Sequence, residues 1–357
     1  MLHDEEAWMK AEGNMTNKRV EWLDIAKFLG IFSIYLGHLG EVSGLSCSFV
    51  NCYHVSLFFF LSGCTMTFDK SVSFPGFLKK KVKTLIIPFF SFAFLSLILM
   101  LIETNEAISD IGSYIKIIAF GCIRNTYFAS SLWFLTALFV IEILFWVLRK
   151  IKFPVVVLAI SLIARFAGVK IITGSPDVDL WHFFNWDCAL YYLIFFAAGF
   201  YSYKILSVLF ELDSKKKRIW FTVILILTAV FAALVFARKS YVMDNTSIKY
   251  LSEIISIART LVLITFFLFL SRILSGVPLL AGLGRETLYL CGSEWIIRTL
   301  FHNFLCVFGF GTELFGVLVA YAHSFVLIVV GAKILIPFEK AVRDAVAGSL
   351  FPSRKDA

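Results

Sequence analysis

Apolar stretches of about twenty residues alternate with short polar connections from residue 22 to residue 336. That length is what a helix rising 1.5 Å per residue needs to cross roughly 30 Å of hydrocarbon. The stretches fall at about 22–40, 49–68, 84–102, 131–148, 153–169, 188–206, 219–237, 251–271, 287–308 and 313–336. They predict an all-α fold, a polytopic transmembrane helical bundle of about ten spans. Residues 111–123 form a shorter apolar stretch, suited to a re-entrant or interfacial helix rather than a full crossing. No internal repeat, low-complexity tract or soluble domain interrupts the pattern. The chain therefore divides into a polar segment over 1–18, a membrane domain over 19–338 and a polar tail over 339–357.

Composition agrees with a bilayer as the solvent. Of the 357 residues 59% are hydrophobic, including 40 phenylalanines, and the mean hydropathy is +0.85. A net charge of +8 raises the question of nucleic acid, but the basic residues sit in short runs between apolar stretches and form no basic face of a soluble domain. Ten crossings would put most of the 33 lysines and arginines on one side, in runs such as Lys79–Lys83, Arg149–Lys152 and Lys215–Arg218. The positive-inside rule then predicts that both termini are cytoplasmic. The acids Asp4, Glu5, Glu6 and Glu12 differ from the basic start of a cleaved signal peptide, so the first span is expected to stay attached. The seven cysteines show no zinc or CxxC spacing, and no metal is expected.

Ionisable and other polar residues inside the spans change the picture from a passive bundle to a functional one. A charged side chain at the bilayer centre costs about 2.5–3.5 kcal/mol on insertion scales, so such residues imply pairing, water or function. The first span holds Asp24, Lys27 and His38, and the second Asn51 and His54. Glu142, Arg165, Glu253, Arg259, Glu294, Arg298, His302, Asn303 and His323 follow in later spans. Lys27 and His38 are eleven residues apart, which returns to nearly the same helix face about 16 Å further on. They are expected to line one path, with Asp24 one turn before Lys27 and able to pair with it. Glu294, Arg298 and His302 recur every four residues on one stripe, as an ion-pair ladder or as substrate contacts.

Arg19-Val-Glu-Trp-Leu-Asp24-Ile-Ala-Lys27-Phe-Leu-Gly30, running on to Gly37-His38, places a basic residue ahead of a histidine on the first span. Tyr53-His54-Val-Ser-Leu-Phe58-Phe59-Phe60-Leu61-Ser62-Gly63 follows on the second, then the basic run Lys79–Lys83 ending at Pro88, then Leu132-Trp133-Phe134-Leu135. Together these motifs resemble the acyltransferase-3 family of membrane O-acyltransferases, which includes sugar O-acetylases. The resemblance extends over essentially the whole chain and is most specific in its first 140 residues. Two positions depart from it. The family's basic motif has two arginines three apart where this chain has Lys80 with Lys83, or Lys81 with Thr84. After Gly284-Arg-Glu-Thr-Leu288, Glu294 stands where a late-span histidine is common.

The resemblance implies transfer of an acyl group, usually acetyl, from cytoplasmic acyl-CoA to a hydroxyl of an extracytoplasmic glycan or lipid-linked sugar. The protein would then sit among the lipids of a bacterial cytoplasmic membrane. His38, with His54, is the expected catalytic centre, since a histidine can take the proton of the acceptor hydroxyl or be acylated itself. Arg19, Lys27, Lys80, Lys81 and Lys83 are the expected contacts of the donor, lysines serving as point charges for phosphates. Asp24, Trp133, Arg165, Glu294 and Arg298 are expected on the acceptor side.

Other signals are weaker. H-x-x-x-x-D at His182 and Asp187 is a two-residue pattern without companions, and GxSxG, HExxH and a P-loop are absent. A transporter or flippase using the same intramembrane His, Glu and Arg is the competing reading; it predicts an inverted repeat, which the sequence does not show.

Overall fold

The computed structural model describes residues 20–68, 72–104, 111–124, 126, 128–172, 180–211, 219, 221–230, 249–308, 317–337 and 340–341. Among them every regular element is helical, as the apolar spacing predicts. Helix α1 (Glu21–Gly37) lacks a side-chain N-cap; Glu21 and Asp24 in its first turn complement the positive end of the helix dipole instead. Its buried residues lie on all sides, so α1 is central to the bundle. The chain then turns back through Gly40 and Gly44, whose φ angles of +59° and +56° are cheap only for glycine. Short α2 (Leu45–Val50) and a three-residue turn lead into α3 (His54–Thr65), which returns along α1. This reversal brings the start of α3 to the end of α1.

The remaining elements enclose that pair. Helix α4 (Phe74–Lys81) continues through a π-helical turn, Val82–Ile86, into α5 (Ile87–Thr104). Next come α6 (Ile111–Ala119), α7 (Trp133–Leu148), α8 (Pro154–Ile172), α9 (Trp186–Glu211), α10 (Phe221–Val230) and α11 (Lys249–Ile273). The chain closes with α12 (Pro278–Arg285), α13 (Thr287–Gly292), α14 (Glu294–Val307) and α15 (Val317–Val330). The widest helix contact is α3 on α9, where Gly63 and Gly199 face the carbonyls of Phe196 and Phe60. A Cβ at either glycine would collide with the opposing backbone, the small-residue packing that substitutes for hydrophobic drive in a bilayer.

Four helical stretches among the described residues are long and apolar enough to cross a membrane: Leu45–Thr65, Phe74–Thr104, His182–Phe210 and Ser252–Ile273. Trp133–Leu148, Pro154–Val169, Phe221–Val230 and Leu318–Ile334 are apolar but shorter. Helix α6, nine residues long, is too short to cross, in line with its reading as a partial element. The ninth expected span is not continuous. It breaks at Ser293, where φ is −100° and ψ is 8°, between α13 and α14. Gly292 is pressed against the Phe92 ring, and the Tyr289 carbonyl accepts both the Ser293 backbone N–H at 2.8 Å and the Ser293 hydroxyl at 2.6 Å, a back-bond of the kind that bends helices.

Buried side chains form two apolar clusters. One gathers Phe59, Phe145, Phe196 and Leu268 from α3, α7, α9 and α11. The other gathers Phe89, Phe92, Leu290, Ile297 and Ile328 from α5 and the last helices. Helix α1 supplies Trp22, Leu23 and Ala26 to the first and Phe28, Ile31 and Ile34 to the second. The polar residues of α1 therefore lie at a seam between two apolar bodies.

Candidate active site

A cavity of about 510 Å³ occupies this seam. Three helices line it along their length: α1 from Lys27 to His38, α3 from His54 to Thr65, and α7 from Trp133 to Glu142. Each run covers ten to twelve residues, about 14–16 Å of helix. Because α1 and α3 are antiparallel, His38 and His54 share one end, while Lys27 and Thr65 share the other. Lys81 joins the Lys27 end, with its Nζ 2.8 Å from Glu142 Oε1 and 3.6 Å from Met66 Sδ. Leu61, Leu85, Leu135 and Leu138 make the wall between the ends largely apolar.

His38 follows α1 directly and keeps its side chain about one-third exposed. Its Nδ1 lies 3.2 Å from Glu294 Oε2, and that carboxylate is almost fully buried. Arg298, one turn on, approaches Glu294 Oε1 at 3.5 Å and donates to the His38 carbonyl at 3.3 Å. The break at Ser293 makes Glu294 the first residue of α14, where a carboxylate also meets the positive end of the helix dipole. With Nδ1 held by a carboxylate, the imidazole presents Nε2 as its free nitrogen. His54 Nδ1 donates to the Val50 carbonyl at 2.7 Å, so its Nε2 is likewise the atom left for other partners.

At the opposite end, Lys27 Nζ lies 3.8 Å from Asp24 Oδ1. Asp24 is buried and also meets Arg285 Nε at 3.3 Å. Helix α12 comes this close to α1 because Gly284 rests on the Asp24 carbonyl, where any side chain would collide. Thr287 of the same Gly284-Arg-Glu-Thr segment lines the cavity. That motif clamps α12 and α13 onto the base of α1.

Of the residues singled out from sequence, the cavity brings together Lys27, His38, His54, Lys81 and Trp133. Asp24, Glu294 and Arg298 stand behind cavity residues and do not form its wall. Lys80 and Lys83 are exposed next to Lys81 and are not among the residues that line the cavity. Arg165 lies elsewhere, buried between α8, α9 and α11, with Nη2 2.9 Å from Glu253 Oε2 and its guanidinium 3.4 Å over the Tyr191 ring. Arg19 lies outside the described residues. Asp187 pairs with Arg124 at 2.7 Å and not with His182, so the H-x-x-x-x-D spacing has no joint geometry. Glu142 was legible from sequence only as a charge in a span. Ser131, Thr287 and Cys291 carried no signal, being short side chains whose place in the wall depends on how distant helices meet.

Comparison with curated proteins and with solved structures finds no match. A family model described as an acyltransferase domain, Acyl_transf_3, matches residues 20–336 and so includes every helix that contributes to the cavity. The chain belongs to the acyltransferase-3 family and is a membrane acyltransferase.

Proposed function

We propose that the protein moves an acyl group, usually acetyl, from acyl-CoA to a hydroxyl of an extracytoplasmic glycan or lipid-linked sugar. The observation that carries this reading is the His38–Glu294 pair at one end of a cavity whose other end holds Lys27 and Lys81. A base aligned by a buried carboxylate is the arrangement that general-base acyl transfer requires. The basic run beside the opposite end suits the phosphorylated part of the donor, and the apolar wall between the ends suits its arm. The 14–16 Å of helix between the ends is comparable with the reach of that arm.

In this reading the thioester carbonyl comes to rest beside His38. Nε2 accepts the proton of the acceptor hydroxyl while the hydroxyl oxygen attacks the carbonyl carbon. The tetrahedral adduct collapses with cleavage of the C–S bond, and the imidazolium returns its proton to the departing thiolate. The products are the O-acyl ester and free thiol, with His38 restored. Glu294 stabilises the imidazolium that forms between the two proton transfers. Lys27 and the basic run face the cytoplasm, where acyl-CoA is found, in keeping with the positive-inside distribution.

The test uses the purified protein in lipid nanodiscs with acetyl-labelled acetyl-CoA. Saturable binding and transfer of label to a glycan or lipid-linked sugar fraction are expected, the transfer disappearing in His38→Ala. A folded His38→Ala variant with full transfer activity, or a wild-type protein that does not bind acetyl-CoA, would overturn the proposal.

A further inference from the structure

Lys81 is the member of the basic run that turns into the cavity, and it does not arrive as a bare charge. Its ammonium is 2.8 Å from Glu142 Oε1, the two side chains being only 16% and 7% exposed. A second contact at 3.6 Å goes to Met66 Sδ, and the Phe77 ring centre lies 5.6 Å away. The other carboxylate oxygen, Glu142 Oε2, is buried and has no hydrogen-bond partner among the described residues. Lys80 and Lys83, by contrast, are exposed, and neither lies within ion-pair distance of a carboxylate among the described residues, although Glu142 feels the charge of Lys80 from further off.

This contrast matters for a polyanionic donor. A phosphate on Lys81 would lie one ammonium away from the Glu142 carboxylate, in surroundings where charges are poorly screened, and repulsion would offset much of the attraction. A neutral amide meets no such opposition. Lys81 has a third ammonium proton, and its hydrogen bond to an amide carbonyl would be charge-assisted. Position agrees: Glu142 and Lys81 sit at the cationic end, between the exposed lysines and the apolar run to His38, where the amide-bearing arm of an acyl-CoA would pass.

Resting on the donor reading above, we infer that the Lys81–Glu142 pair is a neutral polar station for the amide carbonyl of the donor's arm, the phosphates falling to the exposed Lys80 and Lys83. Of the two registers in the basic run, Lys80 with Lys83 is then the phosphate-binding one. Lys81 is a determinant of the arm, with Glu142 its positioning residue.

The experiment compares acetyl-CoA with S-acetylpantetheine, which keeps both amides and the thioester but lacks the phosphates, on the full-length protein in nanodiscs over a range of ionic strength. Lys81→Met is expected to weaken both ligands by the same factor, about tenfold, and to leave the salt dependence of acetyl-CoA binding unchanged. The paired Lys80→Ala/Lys83→Ala variant is expected to weaken acetyl-CoA only and to flatten its salt dependence. Since Lys81→Met strands a buried carboxylate, Lys81→Met/Glu142→Leu removes both charges together and is expected to repeat the Lys81→Met pattern. Glu142→Gln, which leaves Lys81 charged, is expected to favour acetyl-CoA relative to S-acetylpantetheine. If the Lys81 variants weaken acetyl-CoA alone and flatten its salt dependence, Lys81 holds a phosphate and the inference is overturned; unchanged binding of both ligands overturns it as well. A wild-type protein that binds neither ligand instead removes the donor reading on which the inference stands.

Discussion

Glu294 Oε2 lies 3.2 Å from His38 Nδ1, so an acid at the start of α14 fixes which nitrogen of a base at the end of α1 is available. The two residues belong to opposite ends of the sequence, and Glu294 directly follows the break of the ninth span at Ser293. Glu294 thereby gains a role that its place in an intrahelical stripe does not reveal.

Replacing that acid tests the pair directly. Glu294→Gln keeps the shape but loses the charge that stabilises an imidazolium and fixes the tautomer. The turnover number is expected to fall by about 100-fold or more, with little change in the KM for acetyl-CoA. Steady-state transfer rates on folded protein check this; near-normal turnover would remove Glu294 from the mechanism.

His54 lines the same end of the cavity but has a backbone carbonyl, not a carboxylate, on Nδ1. Among the described residues it has no counter-ion of its own to support a positive charge. His54→Ala is therefore expected to lower turnover by roughly tenfold, much less than His38→Ala, in line with an orienting hydrogen bond. Equal losses in the two variants would show that the histidines act as one unit.

Arg165 distinguishes packing from acceptor contact. It is buried, paired with Glu253 and stacked on Tyr191, at a distance from the cavity wall. Arg165→Met is expected to cost about 2–3 kcal/mol of stability by leaving a partly buried carboxylate unpaired, while the KM values of the surviving folded protein stay unchanged. Thermal unfolding in detergent together with acceptor titration gives both readings. A raised acceptor KM at unaltered stability would return Arg165 to the substrate site.

Two glycines of one short helix separate close packing from mere helix propensity. A side chain at Gly284 meets the Asp24 carbonyl, whereas nothing lies within 4 Å of a Cβ added at Gly282. Gly284→Ala is expected to destabilise the protein by about 2–3 kcal/mol through forced separation of α12 from α1. Gly282→Ala is expected to be neutral or stabilising by up to about 1 kcal/mol. Thermal unfolding of the two variants side by side checks the contrast, and equal behaviour would sink the clamp.

Helical class was legible because burial in lipid requires long apolar runs, and the charges of the first span were legible because they violate that requirement. Lys27 and His38 were expected on one path from their spacing alone, and both line the cavity. The break within the ninth span was not legible, since hydropathy averages over a window and does not register Gly292 packed on Phe92 or a Ser293 hydroxyl bonded to the Tyr289 carbonyl. For Arg165 the sequence shows only a charge in a span, which marks a polar neighbour without naming it; the structure supplies Glu253 as one such neighbour.

By itself the sequence determined the solvent, the helical architecture and the residues of α1 that an apolar environment must compensate, because those follow from local hydropathy and a fixed helical period. Only the tertiary structure decided the partners: Glu294 for His38, Glu142 for Lys81, Arg285 for Asp24. Such pairs join residues far apart in the chain and depend on which faces of which helices meet. The backbone approaches permitted at Gly63, Gly199 and Gly284 set that geometry, and hydropathy does not register it.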